Sequence, residues 1–528
     1  VTTRPTRSKT ARLAELLAAL SLGTDLGMGQ PMEHVLRQCL IALRLAERIG
    51  LSESERGVVY YVSLVAWVGC HIDAYEQAKW FGDDLVLKHD FRRTDMSGTG
   101  AASMFMLKHL GHGRPLAERA RLGVGFVNEG RKAADAILEN HWLAADDLAE
   151  QLGLGPDVRL GIEQTFERWD GKGIPKGASG QEITPTARLV NLADVVEVYQ
   201  RAGGVDAAVA VARDRSGTQF DPEMVEVFCT EAPMLFSDLD LTKSWDAVIA
   251  AEPSLEVELT EAEFDSALEA VADFTDLKSP YTLGHSRSVA DLAEIGARSL
   301  GLPDGDAIVA RRAGLVHDLG RLGVSNAVWD REGELSPAEM ERVRLHPYLT
   351  ERMLASSPSL APLGAIAAQH HERMDGSGYP RGVSGRELSP AARVLGAADM
   401  YHARLEPRPH RTTRTPDEAA SDLKAEVRAG RLDGDAVAAV LEAAGHRSKR
   451  RREGPAGLTA REIEVLRLVA RGLSNKEIAR QLVIAPATAR NHIEHIYAKI
   501  GVANRAQASL FATRRGLMDD PVRSGSAV

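Results

Sequence analysis

His370-His371-Glu372-Arg373-Met374-Asp375-Gly376-Ser377-Gly378-Tyr379-Pro380 sets two adjacent imidazoles against a loop rich in glycine and proline. Repeated Gly and Pro oppose helix and strand alike, so Gly376 to Gly385 reads as a loop that can shape the mouth of a pocket. Upstream stand His285, His317-Asp318 and His346, and downstream stands Asp399. Imidazoles and carboxylates suit iron, manganese, nickel or zinc, and five histidines with two aspartates are enough for a two-metal site. Any one of these histidines alone is more simply a surface or core residue; only the set points to metal. A carboxylate shared by two metals holds them about 3.5–4 Å apart, the arrangement used for phosphate ester hydrolysis.

The loop has a second copy. Glu167-Arg168-Trp169-Asp170-Gly171-Lys172-Gly173-Ile174-Pro175-Lys176-Gly177 matches Glu372 to Gly382 at a constant offset of about 205, and the match runs on through Asp194. Where the later copy has His370-His371, the earlier has Thr165-Phe166, which supply no imidazole. Further upstream, Gln30 to Leu51 resembles Thr282 to Leu302, and Val68-Gly69-Cys70 falls near Val316-His317-Asp318, so Gly69 and Cys70 are expected to replace a ligand pair. His71 and Asp73 lie close by; a shifted metal site and ordinary core residues are both open, with the core the simpler account. The first copy thus reads as a degenerate scaffold or sensory half.

Both copies read as helical. Ser288 to Leu300 and Asp306 to Leu315 space apolar residues by three and four, and Ser336-Pro337-Ala338-Glu339 has a capping Ser, an N1 proline and an acidic first turn. Ser237 to Val257 has mixed polarity and reads as linker, with a short strand expected at Leu255 to Leu259. The expected fold class is all-α, with tandem helical bundles followed by a small helical domain. The expected divisions are 1–235, a linker over 236–262, 263–445, a basic linker over 446–456, and 457–520.

Composition bounds these readings. The 528 residues, 44% hydrophobic and 26% charged, provide for about three domains. Cys39, Cys70 and Cys229 lack any CxxC spacing, which argues against a disulfide framework and fits a reducing cytoplasm. Ala11-Arg12-Leu13-Ala14-Glu15 is a charged amphipathic start rather than a signal peptide, and the most apolar run, near Val58 to Ile72, falls short of the roughly 18 residues that span a bilayer. No membrane partner is expected. The net charge of -10 is unevenly divided: from His446 onward, 16 Lys or Arg face 7 Asp or Glu. The run Arg447-Ser448-Lys449-Arg450-Arg451-Arg452 is either a solvated linker or an arm that touches phosphates.

His317-Asp318-Leu319-Gly320, taken with His370-His371-Glu372-x-x-Asp375-Gly376-x-Gly378-Tyr379-Pro380, resembles the HD-GYP branch of the HD phosphohydrolase superfamily over about residues 270 to 445. The resemblance implies a helical bundle that holds two divalent metals, commonly iron or manganese, and hydrolyses cyclic dinucleotides, above all cyclic di-GMP. By position the implied ligands are His285, His317, Asp318, His346, His370, His371 and Asp399, with Asp318 bridging. Arg321 stands where the family carries Lys; a guanidinium can clamp phosphate but does not readily donate a proton. Asp318 and Arg321 are the implied catalytic residues, and Arg321, Gly378, Tyr379, Arg408 and Arg411 the implied substrate contacts, although Tyr379 could instead dock a partner and Arg408 and Arg411 could be a solvated loop. Tyr281 occupies the place of an extra Glu ligand in some members, which favours two metals over three. His402 replaces an Asp usually found three residues after Asp399.

From Leu458 the chain resembles the LuxR-type helix-turn-helix across about 60 residues. Thr459 with Glu462 and Ser474 with Glu477 have capping-box spacing, and Ile478, Leu482, Ile493, Ile496 and Ile500 give short amphipathic helices. The second helix of such a motif enters the major groove, which makes Thr488, Arg490, Asn491, His492 and His495 candidate base or phosphate contacts, and Lys476 and Lys499 candidate phosphate contacts. A helical dimerisation module without DNA contact is the alternative. The expected partners are DNA, a cyclic dinucleotide or other phosphodiester, and a second copy of the chain. The reading is a cytoplasmic one-component regulator with a phosphodiesterase domain; the alternatives are a metal- and nucleotide-sensing transcription factor, and a phosphohydrolase acting on another nucleotide.

Overall fold

The computed structural model describes residues 9–96, 98–126, 131–239, 243–253, 257–446, 456, 458, 460–482, 484–502, 504–515 and 517. The chain divides into two units, Val1–His446 and Arg447–Val528. Among the described residues the regular structure is helical apart from one short antiparallel pair, Lys9–Arg12 with Glu258–Thr260.

Within the first unit the repeat is structural. Helices His34–Arg48 and Glu53–Val65 correspond to His285–Leu300 and Asp304–Val316 at an offset of 251, while Pro156–Glu163 and Pro185–Asp214 correspond to Ala361–Ala367 and Pro390–Leu405 at 205. The change of offset marks a net insertion in the first copy, which has Ala74–Phe81, Asp84–Phe91, Thr99–His109 and Leu116–Gly125 where the second has Asn326–Trp329 and Pro337–Arg344. This insertion has its own small core of Trp80, Phe81, Leu87 and Phe105. Helix starts are written locally. Ser52 with Glu55, Thr260 with Glu263, Ser336 with Glu339 and Thr415 with Glu418 each form a capping box, which satisfies amide groups that the first turn cannot.

One pair of glycines fixes the register between the copies. A β-carbon on Gly320 would lie 1.9 Å from the His346 carbonyl oxygen, and one on Gly69 would lie 2.0 Å from the His141 carbonyl oxygen. Gly69 is therefore the counterpart of Gly320, which shifts the alignment expected from sequence by three residues. The pair that replaces His317-Asp318 is Ala66-Trp67 rather than Gly69-Cys70. Local similarity around the two valines misled the sequence reading, because it carries no information on backbone approach.

The two copies share part of their core, while Val289, Leu395, Leu423 and Val440 of the second belong to a cluster of its own. Leu13, Leu17, Leu20, Leu36 and Ile41 of the first half belong to the same apolar cluster as Leu315, Leu319, Leu322, Met353 and Leu363 of the second. The helix Leu13–Gly27 is buried along nearly all its length, so it is a central element rather than the amphipathic surface helix its first residues suggest. Polar contacts join the halves as well: Asp84 accepts from the Ser325 hydroxyl at 2.7 Å and the Asn326 amide at 2.9 Å, and the Ser357 hydroxyl donates to Glu15 at 2.5 Å. The expected linker over 236–262 is structured where described, because Trp245 and Val248 of helix Ser244–Ala250 enter the core and Leu259 is buried in the strand. Residues 254–256, at the start of the expected strand, lie outside the described residues.

The second unit packs Ala460–Ala470, Asn475–Leu482, Pro486–Ile500 and Arg505–Arg514 around Val465, Leu466, Ile478, Ile493 and Ile496. The Ser474 and Glu477 side chains complete a capping box. Thr459 and the basic run Arg447 to Arg452 lie outside the described residues.

Because Leu322 lies in the core the two copies share, Leu322→Ala is expected to destabilise the whole first unit by about 2–5 kcal/mol, with both copies melting in one transition. Denaturant titration followed by circular dichroism measures this. Separate transitions for the two copies would contradict it.

Candidate metal centre and nucleic-acid interface

Helix Asp304–Val316 ends where His317 and Asp318 turn into the 3-10 segment Leu319–Gly323, and the close approach at Gly320 brings this turn against His346. Asp318 is 6% exposed and stands between two imidazole groups. Its Oδ2 faces His285 Nε2 and His317 Nε2, each at 3.7 Å; its Oδ1 faces His346 Nε2 at 3.4 Å and His370 Nε2 at 3.9 Å. Asp399 repeats the pattern, with Oδ1 at 3.4 Å from His285 and Oδ2 at 3.8 Å from His371 Nδ1. All seven residues expected from the sequence meet here.

The rings are oriented from behind. His317 Nδ1 donates to the Gly314 carbonyl at 2.7 Å, and His346 and His370 Nδ1 donate to the Val343 and Ala367 carbonyls at 2.6 Å. A carbonyl only accepts, so each Nδ1 carries the proton and each Nε2 presents a lone pair to the centre. His317 Nε2 is buried without a hydrogen-bond partner, which suits a ligand atom. The donor set of imidazoles with two carboxylates suits divalent transition metals.

Electrostatics divides the centre. Burial drives His346 down to about 4 and His370 to about 3, with His371 also well below its ordinary value, so these three rings are neutral. Burial also opposes a proton on His285, but Asp399 and Glu406 outweigh it and lift that ring to about 10. Asp318 is held well below the carboxylate range: burial would raise it, and His317, Arg321 and His346 prevail. Protein groups alone leave the carboxylates attracting positive charge, as a cation site requires.

Glu406 was not found from sequence. It accepts from His285 Nδ1 at 3.0 Å and lies 3.2 Å from His402 Nδ1. In the first copy the corresponding support for His34 comes from Glu197, at the position equivalent to His402. The carboxylate has moved four residues along the chain, one helical turn, which explains why His402 can replace the acid expected there. The signal available in the sequence was the Glu at that spacing.

The candidate substrate contacts vary in their availability. Arg321 Nη1 donates to Asp318 Oδ2 at 2.8 Å while its guanidinium lies 4.2 Å from the centre of the Trp329 ring. The Tyr379 ring stands 4.7 Å from that of His371, at the edge of the centre. Gly378 serves the loop itself, since a β-carbon there would lie 2.4 Å from the Arg373 amide nitrogen. Arg408 bonds Glu406 at 2.6 Å and Arg411 bonds the Ala403 carbonyl, so both brace the support of His285. Tyr281 packs its ring against Tyr75.

Comparison with known proteins agrees with this geometry. Residues 131–224 and 269–436 match the HD domain family, and residues 456–512 match the bacterial regulatory proteins of the luxR family. The 3'3'-cGAMP-specific phosphodiesterase 3 of Vibrio cholerae is 33% identical over 437 residues, covering 82% of this chain and 94% of that protein. The chain belongs to the HD-GYP phosphodiesterases. The crystal structure of a cyclic GMP-AMP specific phosphodiesterase from V. cholerae superimposes with a TM-score of 0.58 at 29% identity, covering 83% of this chain and 99% of that one. A cyclic di-GMP phosphodiesterase of Pseudomonas aeruginosa is 29% identical over 232 residues, 43% of this chain and 54% of that protein.

The first HD-GYP copy keeps three of the seven ligand positions: His34, His141 and Asp194. At the others stand Ala66, Trp67, Thr165 and Phe166. His141 escaped the sequence reading because the insertion hides its equivalence to His346. Asp194, left in the interior, is paired with His34 at 3.0 Å and with Arg92, whose guanidinium lies 4.3 Å from the centre of the Trp67 ring. Arg92 comes from the insertion and supplies the positive charge a buried carboxylate needs. His71 donates from Nε2 to the Phe274 carbonyl at 2.8 Å and Asp73 accepts from Asn140 at 3.1 Å; both are core residues, as the simpler reading held.

In the luxR-type unit, Pro486–Ile500 buries Ala489, Ile493 and Ile496 and exposes Thr488, Arg490, Asn491 and His495, with His492 half-buried. Lys476 is exposed at the start of the preceding helix. Lys499 lies near the far end of Pro486–Ile500, exposed and ion-paired with Glu462 at 2.8 Å, as Arg490 is with Glu494 at 2.9 Å.

Glu406→Gln is expected to weaken divalent-metal affinity by about 10- to 100-fold through loss of the charge behind His285. Competition with a metal-sensing dye measures this. Unchanged affinity would show that Glu406 only packs.

Proposed function

We propose that the chain is a transcriptional regulator whose second copy is a two-metal phosphodiesterase acting on cyclic dinucleotides. The observation that carries this reading is Asp318, which turns one carboxylate oxygen to each of two imidazole groups. His285, His317 and Asp399 would hold one metal with Asp318, and His346, His370 and His371 the other. When bound, divalent metals such as iron or manganese supply Lewis-acid polarisation of the phosphodiester and an activated water. The protein's own part is to keep the Nε2 lone pairs inward, to share Asp318 between the sites and to exclude bulk water. Tyr379 sits where a nucleotide base or sugar would enter. Relatives of both cyclic GMP-AMP and cyclic di-GMP specificity support a cyclic dinucleotide substrate.

Arg321 favours a second reading, a nucleotide-sensing regulator with little turnover. It is already engaged by Asp318 and remains cationic, so it can stabilise phosphate charge but does not protonate a leaving group. Protein loaded anaerobically with ferrous iron or manganese is expected to hydrolyse 3'3'-cGAMP or cyclic di-GMP. Asp318→Asn is expected to abolish this, and Arg321→Ala to lower kcat by about 10²–10³. Liquid chromatography of the products checks both. No turnover of either substrate at verified metal occupancy selects the sensing reading.

For the second unit we propose DNA contact through Thr488, Arg490, Asn491, His492 and His495, with Lys476 on phosphate and two copies of the chain on paired half-sites. Lys476→Ala is expected to reduce the slope of log affinity against log salt by about 1 on any duplex, as loss of one phosphate contact requires. Fluorescence anisotropy across a salt series measures it.

A further inference from the structure

The first copy lost four of its seven ligand positions but not its interior space. Between Trp67, Phe166 and the inserted helices lies a cavity of about 340 Å³. Phe91 and Phe105 of the insertion also line it, and the carboxylates in its walls, Asp73 and Asp194, already have partners in Asn140 and in His34 and Arg92. Three polar groups in that lining have unused capacity. Arg215 is 4% exposed and donates only to neutral groups, Gln219 Oε1 at 3.0 Å and the Arg93 carbonyl and Tyr199 hydroxyl at 3.3 Å. Among the described residues no carboxylate pairs with it. Arg168 meets Asp95 and Asp170, yet its Nη2 is buried without a partner. Gln77, 8% exposed, has an Oε1 without a partner.

A buried cation without a counter-ion and buried polar atoms without partners are each costly. An acidic group at Arg215 and Arg168 would offset the first cost, and an N–H edge at Gln77 the second. We propose that the vacated metal site of the first copy is a receptor for a small planar aromatic anion. The volume is at the lower end of the roughly 300–1,000 Å³ usual for small-molecule sites, which suits one ring system with its acidic group rather than two stacked nucleotides. The shared chemistry admits two sources, a purine nucleoside monophosphate or an aromatic carboxylate. The inference does not depend on turnover in the second copy.

The test uses the full chain carrying Asp318→Asn, stripped of metal, so that binding at the second copy is suppressed. Calorimetric titration with AMP, GMP and 1-naphthoate is compared with adenosine, guanosine and 1-naphthamide. At least one anion is expected to bind once per chain and at least tenfold more tightly than its uncharged analogue. Binding of the nucleotides alone identifies the first source, and binding of 1-naphthoate alone the second. Arg215→Met is expected to remove the preference for the anion, and Thr165→Trp to fill the cavity and abolish binding. Independently of how these variants fold, the same anion should slow alkylation of Cys70, which lines the cavity, by at least tenfold in the unsubstituted chain, and leave Cys229, which does not, unchanged. No saturable binding of any anion up to millimolar concentration, or binding that leaves Cys70 unprotected, overturns the proposal.

Discussion

The close approach of two backbone segments governs the geometry of the second copy. Gly320 has no β-carbon, and none could be accommodated beside the His346 carbonyl. That contact carries the His317-Asp318 turn against the start of helix His346–Leu354 and so sets one carboxylate between histidines from separate elements. The Gly320 amide also donates to the Thr350 hydroxyl, which in turn donates to the His317 carbonyl, tying the turn to the helix from both sides. Positions of ligand atoms thus follow from backbone packing rather than from flexible side chains, as a preorganised metal site requires.

The same close contact survives in the first copy, where most of the ligands do not. Gly69 and His141 repeat it while Ala66-Trp67 and Thr165-Phe166 occupy four ligand positions. Metal chemistry and folding are therefore separable in this bundle: the apolar interior and the glycine contact build the fold, and imidazoles at a few inward positions add the chemistry. Sharing part of the core ties the halves mechanically, since Gly23 of the first packs against Leu322 and Met353 of the second.

Most of the second copy's site was legible in the sequence because its ligands are short-range pairs, His317-Asp318 and His370-His371, flanking a loop whose glycines cannot easily be replaced. The all-helical class was legible from apolar spacing and from caps such as Ser336 with Glu339. What escaped was contact between distant segments. Glu406 takes the role of the acid missing at residue 402 only because one helical turn brings it back to the same face. His141 is hidden by an insertion, and the shared core could not be read from a stretch whose polarity suggested a linker. In the second unit, the helix periodicity exposed Arg490 and Asn491 as expected, but the pairing of Lys499 with Glu462 depends on packing between helices.

Arg92 gives the comparison a further meaning. In the second copy Asp318 is met by Arg321 and Asp399 by His285, whereas in the first the positive charge added beside Asp194 is Arg92, placed just after helix Asp84–Phe91. Each half thus carries cations of its own, but only the second also gathers five imidazoles around its carboxylates. The first unit therefore joins a half whose buried acid is matched by its own chain to one whose imidazoles can accept a cation, across a core that the two share in part.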